Sequence, residues 1–126
     1  MKRVLIAEDE ASIVLSLEFL LAAAGYEVFI ARNGSEAIAL AEKHRPDLLV
    51  LDIMLPVVDG FEVCSRLRAN PELSELRILV LTARGRGHEV ARGLALGANA
   101  YVTKPFGTRE LMKVVKGLLA RDAAAP

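Results

Sequence analysis

The chain has 126 residues, 53% of them hydrophobic and 25% charged, with 16 basic against 16 acidic side chains and a single cysteine. That length suits one domain with one packed core, and the balanced charge argues against a surface for nucleic acid or an anionic membrane. No apolar stretch nears the roughly 20 residues of a membrane span, the run after Lys2-Arg3 is too short for a signal-peptide core, and a lone cysteine makes no internal disulfide, so a cytoplasmic location is expected.

Strand and helix patterns alternate along the chain. Arg3 to Ala7 reads as a first strand, followed by a helix whose stripe runs through Ile13, Val14, Leu17, Leu20, Leu21 and Ala24 until Gly25 stops it. Tyr26 to Ala31 is a second strand. Asn33 has the pattern of a helix cap, with Glu36 as its capping-box partner, and the helix through Ala37, Ile38 and Ala41 ends before Pro46, leaving His44 where a positive charge is mildly favourable. Leu48 to Asp52 is apolar up to its last residue and reads as a buried third strand.

Asp59 with Glu62 repeats the cap pattern and opens a helix through Phe61, Val63 and Leu67, closed by Asn70-Pro71, with Cys64 inside it as a small core filler. Gly60 serves close packing or the start of that helix, and Pro56 the turn before it. Ile78 to Leu81 is the fourth strand. The fourth helix, about Arg86 to Leu96, is the most weakly written, since glycine, here Gly87 and Gly93, costs about 1 kcal/mol relative to alanine in a helix interior. It is a candidate moving part, and Arg84, Arg86 and Arg92 around it read as a solvated basic face. Ala100 to Thr103 is a short fifth strand leading through Pro105 into a last helix with Leu111, Val114, Val115, Leu118 and Leu119 on one face. Residues 1–121 form the domain, and 122–126 read as a C-terminal tail or the start of a linker.

Such alternation with short loops implies an α/β fold, a parallel sheet covered on both faces by right-handed crossovers. For five strands the expected fold is the flavodoxin-like (βα)5 doubly wound sheet of order 2-1-3-4-5. In that order the first and third strands are neighbours, so Glu8, Asp9 and Asp52 meet at the switch point, and Thr82 and Lys104 close the next strand ends.

Three crowded carboxylates repel one another unless a cation is present, and a hard divalent ion such as Mg2+ fits them better than zinc, for which His44 and His88 have no suitable partner. The turn from Glu8 to Ser12 contains no glycine, which excludes a P-loop or dinucleotide fingerprint. Lys104 offers a fixed positive charge and Thr82 a hydroxyl donor, both suited to phosphoryl oxygens, and a carboxylate can itself accept a phosphoryl group. Each of these residues alone is more often an ordinary solvated or strand-end group. Together they read as a metal-assisted phosphoryl site with Asp52 as the best nucleophile.

The segments Val4-Leu5-Ile6-Ala7-Glu8-Asp9-Glu10, Asp52-Ile53-Met54-Leu55-Pro56-Val57-Val58-Asp59-Gly60, Leu81-Thr82-Ala83 and Tyr101-Val102-Thr103-Lys104-Pro105-Phe106 occur in order at the ends of these strands. In them the chain closely resembles the receiver domain of bacterial two-component response regulators. The resemblance implies that Asp52 takes a phosphoryl group from a phosphohistidine on a sensor histidine kinase or a histidine phosphotransfer protein. It implies Mg2+ held by Asp9, Asp52, Glu8 and the backbone carbonyl of Met54. Lys104 would pair with the carboxylate and then the phosphoryl oxygens, while Thr82 and the backbone N–H of Ala83 would bind the phosphoryl group. Tyr101 would move inward behind Thr82, altering the surface of the fourth helix, fifth strand and fifth helix that controls a downstream effector protein or an output domain. The Lys104–Pro105 bond is expected to be cis.

Some positions depart from the family pattern. Asn99 and Ala100 stand where many DNA-binding relatives carry an acidic pair that joins subunits, which favours a free-standing receiver. Met54 and Arg84 occupy positions that tune hydrolysis in relatives, and neither offers a carboxylate or amide to orient water, so a long-lived phosphoryl-aspartate is expected. A magnesium-dependent phosphatase or phosphotransferase is disfavoured, because Asp52-Ile53-Met54 lacks a second aspartate for acid/base work. A phosphorylation-independent protein-binding module is the remaining alternative, and the intact set Asp9, Asp52, Thr82 and Lys104 argues against it.

Overall fold

The computed structural model describes residues 1–83 and 86–124, with side chains described as far as residue 120. Arg84 and the final residues 125–126 of the expected tail lie outside the described residues. Strands β1 (Arg3–Ala7), β2 (Glu27–Ala31), β3 (Leu48–Asp52), β4 (Arg77–Ala83) and β5 (Ala100–Lys104) pair in parallel in the order β2-β1-β3-β4-β5. Helices α1 (Ala11–Ala23), α2 (Gly34–His44), α3 (Gly60–Arg68), α4 (Gly87–Ala95) and α5 (Thr108–Ala124) connect and follow them, with one 3-10 turn at Pro71–Leu73. This is the flavodoxin-like architecture expected from the pattern. The last helix continues to Ala124, past Arg121, so the segment expected to be a tail begins inside a helix. Alanine is the strongest helix former, and the run from Ala123 prolongs the helix after its apolar stripe has ended.

Strand side chains alternate between two buried layers, as a period of two requires. Val4, Ile6, Leu48, Val50, Leu79 and Leu81 pack with Leu17 and Leu21 of α1 and Leu111, Val115, Leu118 and Leu119 of α5. Leu5, Ala7, Leu49, Leu51, Ile78 and Val80 pack with Ala37 and Ala41 of α2 and Phe61, Val63, Cys64 and Leu67 of α3. Ala24, placed on the α1 stripe by periodicity, is exposed, because Gly25 (φ +95°) turns the chain there.

The caps form as their sequence pattern predicts. Asn33 Oδ1 accepts from the Glu36 N–H at 2.8 Å, and Asp59 Oδ1 accepts from the Glu62 N–H at 2.9 Å. Glu36 Oε1 reaches back to the N–H of Arg32 at 2.9 Å, one residue before the cap itself.

Helix α4 differs in kind from the others. Its buried residues are Glu89 and Gly93 rather than an apolar stripe. Other contacts tie it down. The Arg92 guanidinium stacks over the Phe61 ring at 4.1 Å while the residue stays exposed. Cys64 Sγ donates to the Leu96 carbonyl at 3.4 Å, and Arg68 Nε donates to the Gly97 carbonyl at 2.9 Å. Asn99 Oδ1 accepts from the Ile78 N–H at 2.7 Å and from Arg68 at 2.8 Å.

Two glycines position the loop between β3 and α3. A Cβ on Gly60 would lie 2.6 Å from the Ile53 Cα, and one on Gly34 would lie 1.8 Å from the Val58 carbonyl oxygen. The Gly34 N–H donates to the Pro56 carbonyl at 3.1 Å, so α2 begins against this loop. Within it Val57 adopts φ +73° while 79% exposed. An L-residue in the left-handed region costs roughly 1–2 kcal/mol, and a β-branched one is an outlier there. Val57→Gly is therefore expected to stabilise the domain by about 1 kcal/mol after glycine's larger entropy loss, with Val57→Asn gaining less. Urea midpoints compare the three proteins, and a midpoint that falls in Val57→Gly refutes the strain.

Candidate functional site

β1 and β3 are adjacent, and their C-terminal ends deliver the acidic residues to one place. Ala7 pairs with Leu51, so Glu8 and Asp9 leave β1 beside Asp52 at the end of β3. One carboxylate oxygen from each of Glu8, Asp9 and Asp52 lies within 4.8 Å of the others. Glu8 and Asp52 are buried, whereas Asp9 is exposed. Parallel strands run apolar to their ends, and the first polar residues past the core emerge here.

Lys104, the last residue of β5, answers these charges. Its ammonium is 2.8 Å from Glu8 Oε1 and 3.3 Å from Asp52 Oδ2. The other carboxylate oxygens have backbone donors. Glu8 Oε2 accepts from the Glu10 N–H at 3.0 Å, and Asp52 Oδ1 accepts from the Met54 N–H at 3.0 Å. Burial pushes the Glu8 carboxyl up from its ordinary range, against the opposing pull of Lys104 and the Glu10 N–H, and the neighbouring Asp52 charge adds to the rise. Burial opposes the Lys104 charge, but its bond to Glu8 and the Asp52 carboxylate outweigh that and hold its pKa above that of an ordinary lysine. The peptide bond that follows, Lys104–Pro105, is cis.

The set fits a hard divalent cation. Its donors are all carboxylate oxygens, and Glu8 Oε1 is buried with the Lys104 ion pair but no aligned hydrogen bond among the described residues. The Met54 side chain is exposed, and its backbone lies two residues past Asp52, within hydrogen-bond reach of that carboxylate.

β4 lies between β3 and β5, with Asp52 paired to Leu81, Thr82 to Thr103 and Ala83 to Lys104. Thr82 and Ala83 thus end β4 between Asp52 and Lys104. The Thr82 side chain is buried, and its hydroxyl donates to Glu89 Oε1 of α4 at 3.0 Å. Tyr101 is 47% exposed on β5, beside a depression lined by Ala83, Val90 and Thr103. Sequence analysis missed Glu89, because a glutamate in a weak helix reads as a solvated surface charge. The available signal was its spacing from Gly93, which puts the two on one helix face.

The sequence profile described as response regulator receiver domain matches residues 4–116. The chain is 46% identical over 126 residues to the alkaline phosphatase synthesis transcriptional regulatory protein PhoP of Bacillus subtilis, a match covering 99% of this chain and 52% of that protein. It therefore spans about half the length of that curated relative. Its fold matches the chemotaxis protein CheY4 of Vibrio cholerae with a TM-score of 0.87 and 35% identity, over 94% of this chain and 98% of the other. A TM-score of 0.87 at 29% identity, over 94% and 98% of the two chains, relates it to the receiver domain of a sensor histidine kinase from Pseudomonas aeruginosa, whose structure has a magnesium ion coordinated in the active site cleft.

Removing the Lys104 charge leaves Glu8 and Asp52 facing each other without the ammonium that pairs with both. Breaking a buried pair costs about 3–5 kcal/mol, and Lys104, being partly solvated, should contribute less. Lys104→Met is expected to lose about 2 kcal/mol of unfolding free energy near pH 7 without divalent ions. The loss should shrink at mildly acidic pH, because protonating Glu8, whose pKa is already raised by burial, removes the uncompensated charge. Urea unfolding at the two pH values checks this, and a variant as stable as the parent at neutral pH contradicts it.

Proposed function

The chain belongs to the response regulator receiver domain family, and from that premise we propose that Asp52 is its phosphoacceptor, within a domain spanning residues 1–121. The observation that carries this assignment is the buried Asp52 carboxylate, held by the Met54 N–H on one oxygen and by Lys104 at 3.3 Å on the other, beside two further acids. Such a group is oriented, and its counter-ion is already in place.

In this reading a phosphohistidine on a sensor histidine kinase or a histidine phosphotransfer protein donates the phosphoryl group. The N–P bond breaks as a bond forms from an Asp52 carboxylate oxygen to phosphorus. Glu8, Asp9, Asp52 and the Met54 backbone carbonyl would hold Mg2+, which when bound neutralises charge on the acids and the phosphoryl oxygens. Lys104 shifts from pairing two carboxylates to pairing a phosphoryl oxygen. The Thr82 hydroxyl and the Ala83 N–H take the remaining oxygens from β4, and Tyr101 turns from its exposed position into the depression behind Thr82. The arrangement with these contacts is favoured only when the phosphoryl group is present, which makes the domain a two-state switch.

The switched surface, formed by α4, β5 and α5, governs a separate effector protein or an attached output domain. The domain itself contacts neither nucleic acid nor membrane and works in the bacterial cytoplasm. It catalyses only its own phosphorylation and a slow hydrolysis, since Met54 has no group that could orient an attacking water.

Intact-mass spectrometry after incubation with acetyl phosphate and Mg2+ tests the assignment. A single phosphoryl adduct is expected, one that does not form when the metal is chelated beforehand and is absent from Asp52→Asn. An adduct that persists in Asp52→Asn moves the acceptor elsewhere, and one that forms equally well without divalent ions removes the metal role from Glu8 and Asp9.

A further inference from the structure

The Thr82 hydroxyl and Glu89 form a buried polar contact that phosphoryl chemistry does not require. Thr82 is 2% exposed and Glu89 8% exposed, and they meet at 3.0 Å across the gap between β4 and α4. A carboxylate only accepts hydrogen bonds, so the single Thr82 hydroxyl proton points at Glu89. A phosphoryl group on Asp52 would offer only acceptor oxygens as well. One proton cannot serve both, so the two acceptors compete for Thr82.

We propose that Glu89 is a positioning residue that latches Thr82 in the unphosphorylated arrangement and carries its release to α4. The proposal rests on the phosphoacceptor role of Asp52. When Thr82 turns to the phosphoryl group, Glu89 Oε1 loses its donor while Glu89 Oε2 keeps Arg86 at 3.3 Å. A buried carboxylate oxygen short of a partner is costly, and it regains one by reaching water. Glu89 lies in the first turn of α4, and Arg86, its remaining partner, is the N-cap residue and about half exposed. Outward movement of that turn hydrates Glu89 without breaking the ion pair. Little apolar burial opposes it, because Gly93 is the other buried residue of the helix.

The latch has two readouts. In the unphosphorylated protein, three-bond couplings to the Thr82 methyl should report one χ1 rotamer, and Glu89→Ala should average it, with the near-isosteric Glu89→Gln intermediate. A Thr82 already averaged in the parent chain overturns the latch, whether or not the site accepts a phosphoryl group. The second readout is binding of beryllofluoride with Mg2+, a phosphoryl mimic. Glu89→Ala is expected to bind it about tenfold more tightly, because the competing charged hydrogen bond is gone. In a Thr82→Ala background the same substitution should change binding little, which a general loosening of α4 would not reproduce. Equal effects in both backgrounds, or none in the parent, overturn the latch. Failure of the parent chain to bind the mimic at all overturns the phosphoacceptor reading and the latch's role in it, while the coupling measurement still reports on the contact itself.

Discussion

Glu8 and Asp52 are buried side by side at the ends of adjacent central strands, a placement that a folded chain tolerates only with a cation at hand. Lys104 is that cation, and the arrangement of the site follows from where it must sit. It leaves the last residue of β5, with β4 between it and Asp52, so three strand ends are drawn to one charge balance. The two raised pKa values have opposite relations to burial: burial is what raises that of Glu8, whereas the acids raise that of Lys104 against it. Anything that brings further positive or negative charge to the cluster reaches this balance directly. A divalent ion and a phosphoryl group are charges of those two kinds.

The loop that carries Asp52 out of the sheet is held as closely as a core element. Gly60 lets the start of α3 pack on the Ile53 backbone, and Gly34 lets α2 pack on the carbonyl of Val58. Both glycines begin helices, so the site is built where helix starts meet a strand end. Val57 is the strained exception in a positive-φ position. Strain in an exposed loop persists only when neighbouring contacts leave the backbone no alternative, and the Gly34 N–H to Pro56 carbonyl bond is such a contact.

Most of the fold was legible because parallel strands buried on both faces are written as unbroken apolar runs, and caps such as Asn33 and Asp59 announce themselves by spacing. The acids, Thr82 and Lys104 stood out for the same reason: they lie where such runs give way to polar residues. The resemblance to a receiver family then told which polar residues to weigh together. What escaped were contacts that spacing does not encode. The need of Gly34 for close approach depends on Val58, far along the chain. The stacking of exposed Arg92 over Phe61 joins residues about thirty positions apart. Asn99 was read for the acidic residue it replaces, yet its side chain is occupied in joining β4 to Arg68. Glu89 was passed over because a charged side chain in a glycine-bearing helix resembles surface.

That last omission bears on how α4 is held. Helices α1, α3 and α5 are fastened by leucine and valine side chains, and dislodging any of them would expose large apolar area at once. α4 and the turn after it are fastened by hydrogen bonds and a cation over a ring. Polar contacts of this sort can be exchanged for others of similar strength when a competing acceptor arrives, whereas apolar burial has no comparable substitute. The glycines that weaken this helix in sequence therefore do not mark a defect of packing. They mark, among the described residues, the helix attached to the sheet through polar groups rather than an apolar stripe.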